Sequence, residues 1–179
     1  YSIEITDVQC FPQAFAAAMT RYNEEMGKRA TVIDLGGYTA DYIQIVDGKP
    51  LIEHSDSLEN GVIHLYHRIM QEINCIMDTR LKESDIDLII RGNPHYPEQL
   101  IKIVDQQVRQ YLDDFIGQLR ERQIDLRVGQ TVIIGGGGIL LRKYIEQNPW
   151  IQHITFIDDI RANAHGYQLM YETLRRKGG

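Results

Sequence analysis

The stretch VIDLGGYTADYIQIV, residues 32–46, decides the fold. Its apolar start is typical of a strand buried on both faces, and the strand meets a carboxylate at Asp34. Gly36 and Gly37 come next, followed by Thr39, Asp41 and an alternating, strand-like run. Because glycine permits positive φ and a close approach of other groups to the backbone, the pattern predicts two strands joined by a tight turn.

This turn has two interpretations from its residues alone. Successive N–H groups in a glycine turn form a concavity that suits phosphate oxygens, and Thr39 adds a hydroxyl donor at its rim. Asp34 is costly at the end of a buried strand unless it is hydrogen-bonded or binds a cation; Mg²⁺ held through water fits, since this ion keeps several waters. The alternative is an ordinary hairpin turn with Asp34 and Asp41 solvated at its mouth.

Length and composition indicate one globular domain, or one domain with a subdomain. The chain has 179 residues, of which 25% are charged and 43% hydrophobic, and this composition excludes disorder. A net charge of −6 argues against direct binding of nucleic acid. Cys10 and Cys75 form no C-x-x-C pair, so we expect two reduced thiols in the cytoplasm. No run approaches the ~20 apolar residues of a membrane helix, so no membrane partner is expected.

The rest of the chain alternates helices and strands. The predicted order is strand (2–11), helix (12–26, stopping at Gly27), three strands (30–56), helix (57–77), short strand (84–90), helix (97–123), strand (130–134), helix (139–147), strand (153–158) and helix (161–177). Ser57 is predicted to be the N-cap of the helix that follows it. The order predicts an α/β domain with a mixed sheet flanked by helices, in which residues 1–57 and 128–179 form the core and residues 58–127 a mostly helical inserted subdomain.

A second glycine run, residues 135–138, joins a predicted buried strand to a helix. Backbone there can lie flat against a planar or phosphate group, with the helix N-terminus behind it. The run lacks the acidic partner of a dinucleotide fingerprint and the Lys-Ser/Thr of a P-loop, so its residues alone favour a bare tight turn over a binding site. His64 and His67 have no third ligand at metal spacing, which favours a solvated helix face.

Four motifs in order carry a family resemblance: CFPQAFAA, VIDLGGYTADY, VIIGGGGILL and ANAHGYQLMYE. Together they resemble the second, carboxy-terminal half of an actin-like ATPase with a ribonuclease H-like fold, most of all the ParM/StbA plasmid-segregation actins. The resemblance covers residues 5–173. It implies binding of ATP or GTP with Mg²⁺, polymerisation into filaments, and DNA segregation through a DNA-binding adaptor protein. The partners that it implies are the amino-terminal actin-like domain of the same chain and other protomers.

The resemblance also implies which residues form the site. Asp34 matches the carboxylate that holds Mg²⁺ through water, and Gln13 matches the residue that orients the attacking water. A neutral amide is a poor general base, so slow hydrolysis is expected. The phosphate-binding residues would be Gly36, Gly37, Tyr38 and Thr39. The adenosine-binding residues would be Ser57, Gly61, Gly135, Gly136, Gly137 and Gly138. The hinge, where two helices cross closely, would be Ala162, Asn163 and Gly166.

Two features depart from the family pattern. Residues 59–60 are inserted before Gly61, and Tyr38 would place a bulky ring at the phosphate rim. The chain starts at Tyr1 without methionine and contains no counterpart of the family's first phosphate loop, so we expect a piece of a longer protein with little or no ATPase activity alone. The alternative functions are a sugar or acyl kinase of the same superfamily and a non-hydrolysing actin-like scaffold.

Overall fold

A five-stranded mixed sheet forms the centre of the chain. The computed structural model describes residues 4, 8, 10–159 and 161–177. The strands are β1 (Arg29–Leu35), β2 (Ala40–Val46), β3 (Lys49–Leu58), β4 (Gln130–Ile134) and β5 (Ile154–Phe156), in the order β3-β2-β1-β4-β5. β1 is antiparallel to β2 and parallel to β4, which is parallel to β5. The expected mixed α/β sheet is confirmed, and the carboxyl ends of β1, β4 and β5 lie at one edge.

Helices cover both faces of this sheet. Their bounds are α1 (Gln13–Met19), α2 (Glu24–Lys28), α3 (Val62–Met77), α4 (Glu83–Ile90), α5 (Glu98–Glu121), α6 (Gly136–Leu140), α7 (Arg142–Gln147) and α8 (Ala162–Lys177). In the part of the chain that the structure describes, none of these helices has the length and apolarity to cross a membrane.

The central strand β1 is buried on both faces, as its apolar sequence predicts. Ile33 and Leu35 belong to a large apolar cluster with α3, α4 and α5, whereas Ala30 and Val32 belong to a second cluster with α1. Side chains alternate across a strand, so one short apolar run contributes to both cores. The larger cluster continues without a break from the sheet into the helices, and the proposed division at residues 58–127 stays a prediction.

The predicted strand over residues 84–90 is wrong, because this segment is helix α4. Ile86, Ile89 and Ile90 are buried, and their i, i+3, i+4 spacing places them on one face of a helix. The N–H of Lys82 donates to the carboxylate of Asp85 at 2.9 Å, which fixes the first turn.

The helix predicted over residues 12–26 is in fact two helices. The Thr20 hydroxyl donates to the carbonyl of Ala17 at 2.7 Å as α1 ends, and Asn23 accepts from the N–H of Met26 at 2.7 Å as α2 begins. Gly27 therefore lies inside α2 and does not stop a longer helix. Most of the strand predicted over residues 2–11 lies outside the described residues.

The predicted N-cap is also wrong. Ser57 lies in β3, opposite Asp41 of β2, and the residue before α3 is Gly61. The sheet continues to Leu58, so the strand is longer than its sequence suggested.

Candidate functional site

A cleft of about 200 Å³ opens at the sheet edge where β1, β4 and β5 end. It brings together residues from the four sequence motifs that are far apart in the chain. Those of its lining residues that the sequence had singled out are Gln13, Asp34, Gly135, Gly136, Ala162 and Asn163. Gln13 begins α1, Asn163 lies in the first turn of α8, and Asp34 is the penultimate residue of β1.

Asp34 is the central acidic group of the cleft. Burial raises the pKa of its carboxyl above the ordinary value, a hydrogen bond from Asn163 lowers it, and repulsion from Asp41 raises it further. Asp41 stands directly opposite in the register of β1 and β2. The net effect is a raised pKa, so a nearby positive charge would stabilise the ionised form of this carboxylate.

The turn after Asp34 exposes backbone donors. The N–H of Gly36 donates to the carbonyl of Thr39 at 2.9 Å, while the N–H groups of Gly37, Tyr38 and Thr39 have no acceptor among the residues that the structure describes. Three successive free N–H groups in a turn suit an anion. The Tyr38 side chain is 74% exposed and projects from this turn. Neither Tyr38 nor the other predicted phosphate-binding residues, Gly36, Gly37 and Thr39, line the cleft, so their phosphate contacts stay predictions.

Helix α3 is anchored on the carbonyl side of the same turn. The N–H groups of Gly61 and Ile63 donate to the carbonyls of Tyr38 and Gly37 at 3.0 and 2.9 Å, and that of Val62 donates to Gly36 at 3.1 Å. The orphan donors of this helix start are thus satisfied by the turn itself. Gly61 therefore belongs to the support of the turn.

Ser57 is exposed on β3, and its N–H donates to the carboxylate of Asp56 at 2.9 Å. It does not line the cleft. An adenosine contact of Ser57 stays a prediction.

The glycine run divides into two pairs. Gly135 has φ +86°, and a Cβ there would lie 2.5 Å from Oδ1 of Asp34, so only glycine fits. A Cβ on Gly136 would meet no atom within 4 Å, and Gly136 lines the cleft. Gly137 and Gly138 are buried in α6, where a Cβ would lie 2.6 Å from Val62 and 2.4 Å from Ile133 respectively. The helix predicted to begin at residue 139 therefore begins earlier, at Gly136, because the last two glycines let it lie close to the sheet and to α3.

Helices α1 and α8 cross with their backbones close together. A Cβ on Gly166 would lie 1.7 Å from the carbonyl oxygen of Ala16, and Ala162, on the same helix, is buried. The Tyr167 hydroxyl donates to the carbonyl of Phe11 at 3.2 Å beside the crossing. The close crossing expected of the Ala-Asn-x-x-Gly motif is present, and hinge motion there stays a prediction.

Sequence reasoning missed the two acidic cleft residues that follow β5, Asp158 and Asp159. Asp158 pairs with Arg142, and Asp159 lies 3.1 Å from Nδ1 of His165. A hydrogen bond from the backbone of Arg161 lowers the pKa of Asp159. Their position in the sequence could have identified them, because carboxylates that follow a strand parallel to β1 reach the same sheet edge as Asp34.

The donor set at the cleft tests whether a divalent ion fits. Among the described residues, no three His, Cys, Asp or Glu side chains are grouped to hold a metal, and His64 and His67 are exposed on α3. Three carboxylates line the cleft: Asp158 lies against Arg142 and Asp159 against His165, whereas Asp34 forms no ion pair among the described residues. Mg²⁺ commonly binds through one or two carboxylates with waters and substrate phosphates, so the site fits an ion that arrives with a phosphate ligand.

A family model decides the relationship of this chain. The model of the archaeal actin homologue MreB-like carboxy-terminal domain matches residues 32–147. The chain belongs to this family. No curated protein matches it.

Solved structures share the fold with this member of the MreB-like family. The archaeal actin homologue Ta0583 is 22% identical with a TM-score of 0.69, over 91% of this chain and 55% of its own. The Alp12 filament is 18% identical with a TM-score of 0.71, over 97% and 56%. MreB 5 of Spiroplasma citri, solved with AMPPNP, is 16% identical with a TM-score of 0.62, over 92% and 59%. The chain thus spans little more than half the length of these relatives, and the likeness establishes the fold.

Proposed function

We propose that the intact protein binds ATP or GTP with Mg²⁺ in the cleft and hydrolyses it slowly. The single observation that carries the proposal is the cleft itself, where Gln13, Asp34 and Gly136 meet although they are far apart in the chain. The structure of a family relative with AMPPNP supports a nucleotide as the ligand.

In this proposal the turn binds the phosphates of the nucleotide, and the cleft binds its nucleoside. The free N–H groups of Gly37, Tyr38 and Thr39 would bind phosphate oxygens, and the open face of Gly136 would lie along the adenosine or guanosine. Mg²⁺ bound there would supply positive charge that neutralises the phosphates. Asp34 would orient water of that ion, and Gln13 would orient the attacking water through its amide.

One wall of a cleft is insufficient for phosphoryl transfer. The transferred group needs charge stabilisation from several directions in a site closed to water. The chain spans just over half the length of its solved relatives, so the amino-terminal domain of the same chain would supply the opposite wall. We therefore expect the 179 residues alone to hydrolyse ATP no faster than background, and turnover clearly above background from pure material would contradict this.

Assembly is the second part of the proposal. The likeness to the Alp12 filament supports polymerisation with other protomers. We propose that polymerisation occurs in the triphosphate state. We propose that the filaments act in the cytoplasm and move DNA through a DNA-binding adaptor protein. A net charge of −6 is consistent with contact to DNA through that adaptor and not through this chain.

Electron microscopy of the intact protein with ATP, GTP and ADP tests the proposal. Filaments that form with a triphosphate and disappear as phosphate is released support it. A soluble protein that transfers phosphate to a sugar or an acyl acceptor would instead identify a kinase. Filaments that persist unchanged without any nucleotide would identify a scaffold.

A further inference from the structure

The hydroxyl of Tyr111 connects the long helix α5 to the segment that leads into α3. It donates to the backbone carbonyl of Asn60 at 2.5 Å. Tyr111 is fully buried in the large apolar cluster, and burial raises the pKa of its hydroxyl above the ordinary value, so the group keeps its proton and remains a donor. Asn60 is one of the two residues inserted before Gly61, so this hydrogen bond gives the insertion a fixed partner in α5.

One rigid peptide group joins Tyr111 to the glycine turn. The carbonyl of Asn60 and the N–H of Gly61 belong to the same peptide bond, which is planar, so their directions cannot change independently. The carbonyl accepts from Tyr111, and the N–H donates to the carbonyl of Tyr38 at 3.0 Å. A side chain buried in α5 therefore fixes the orientation of a donor to the turn.

The same geometry continues to the free donors of the turn. The carbonyl of Tyr38 shares its peptide group with the N–H of Thr39, which has no acceptor among the described residues. The carbonyls of Gly36 and Gly37 are bound in the same way by the first two N–H groups of α3, at 3.1 and 2.9 Å. Because hydrogen bonds in series polarise one another, each bond on the carbonyl side also strengthens the free N–H on the other side.

The hydroxyl of a second buried tyrosine forms a bond of a different kind. Tyr66 of α3 lies in the same apolar cluster, and its hydroxyl donates to the carboxylate of Asp87 in α4 at 2.5 Å. That bond connects two helices through their side chains. The bond of Tyr111 ends instead on the backbone that supports the turn, so the two tyrosines separate a stabilising role from a positioning role.

We propose that Tyr111 is a positioning residue, which holds the N–H of Thr39 in place for an anion through the peptide group of residues 60 and 61. The inference rests on the proposed function, because the anion would be a phosphate group of the nucleotide. The link from Tyr111 to the N–H of Gly61 is independent of any ligand.

Amide hydrogen exchange in the intact protein measures the link without nucleotide, with the amide of buried Val32 in β1 as the reference for global unfolding. Relative to that reference, we expect the Gly61 N–H to exchange at least about tenfold faster in Tyr111→Phe, which removes only the hydroxyl. Tyr66→Phe is the matched control, and it should leave the relative rate within about twofold. An unprotected Gly61 N–H in the unmodified protein, or an equal acceleration in both variants, would overturn the proposal.

Nucleotide binding by the intact protein tests the functional half. We expect Tyr111→Phe to weaken ATP or GTP binding about fivefold or more and to leave binding of the nucleoside, which carries no phosphate, within about twofold. Tyr66→Phe should leave both affinities within about twofold, although its Tm should fall to a similar extent. Unchanged triphosphate binding by Tyr111→Phe, or an equal loss in the two variants, would overturn the proposal. If the unmodified protein binds no nucleotide, the proposed function fails, and the exchange rates alone then confirm or overturn the link.

Discussion

Gly61 lies so close to Gly37 that a Cβ on Gly61 would be 2.3 Å from the carbonyl oxygen of Gly37. The start of α3 is thereby joined to the carbonyl side of the turn, whose N–H groups face the other way. The geometry of the proposed phosphate turn thus depends on a residue in a different part of the sequence.

Gly61→Ala tests this dependence. The added methyl group must displace the turn, and overpacking of this kind costs about 1–3 kcal/mol. We expect a lower free energy of unfolding together with at least about tenfold weaker nucleotide binding in the intact protein, measured by urea titration and by titration with a fluorescent nucleotide.

Gly117→Ala is the matched control. Gly117 lies inside α5, and a Cβ there meets no atom within 4 Å. Alanine favours helix over glycine by about 0.5–1 kcal/mol, so this variant should be more stable and bind nucleotide normally. Unchanged binding by Gly61→Ala would show that the turn does not contact the nucleotide.

Asp34→Asn separates stability from catalysis. Burial raises the pKa of Asp34, so this group favours the folded state fully only below its unfolded pKa, and the contribution is lost as the pH rises through the folded value. At neutral pH the uncharged amide of the variant avoids the free-energy cost of burying an ionised carboxylate. We expect the Tm of the apo variant to equal or exceed that of the unmodified protein, and kcat for ATP to fall roughly 10²-fold.

The pH dependence gives a second readout for Asp34→Asn. As the pH rises above the ordinary pKa of an aspartate, the unmodified protein should lose stability relative to the variant, because only the unmodified protein must ionise a buried carboxyl at this position. A variant that is less stable than the unmodified protein at every pH would show that the ionised Asp34 stabilises the fold.

Much of the fold follows from local pattern. The run from Ala30 to Leu35 predicts a strand buried on both faces, and Asp47-Gly48 predicts the tight turn, where both residues have positive φ. These predictions succeed because the cause lies within a few residues of the effect.

The failures arise where the cause is distant. Ser57 is a good N-cap by type, but pairing with Asp41 keeps it in β3, and α3 instead begins where the Gly36–Tyr38 turn satisfies its donors. Segment 84–90 is too short for its apolar spacing to distinguish strand from helix, and packing against α5 decides the outcome.

The site shows the same limit. Family motifs identified Asp34 and Gly136, whereas Asp158 has no motif and enters the cleft only because β5 pairs with β4. The place of Asn163 in the cleft likewise depends on how α8 crosses α1, which no local pattern specifies.

Gly135 and Gly136 are adjacent in sequence and opposite in role. Gly135→Ala forces a Cβ onto Asp34 at positive φ, so we expect a loss of about 1–3 kcal/mol in the free energy of unfolding. At Gly136 a Cβ has space and points into the cleft, so the alanine variant should unfold normally.

Binding distinguishes these two variants. If the nucleotide base lies flat on this backbone, the Gly136→Ala methyl group should weaken binding about tenfold without a change in stability, as measured by calorimetric titration of the intact protein. Normal affinity in Gly136→Ala would place the base elsewhere in the cleft.

Gln13 offers the most direct test of the proposed chemistry. It is exposed at the start of α1 and lines the cleft with Asp34, so removal of its amide should leave the free energy of unfolding within about 0.5 kcal/mol. An amide that orients the attacking water acts in the transition state, so Gln13→Ala should lower kcat roughly 10²-fold with an unchanged KM in single-turnover and steady-state assays. Gln13→Glu supplies a stronger base beside Asp34, Asp158 and Asp159, and its activity should therefore rise with pH as the added carboxyl ionises. A raised KM with an unchanged kcat for Gln13→Ala would instead indicate that the amide contacts the bound nucleotide and not the water.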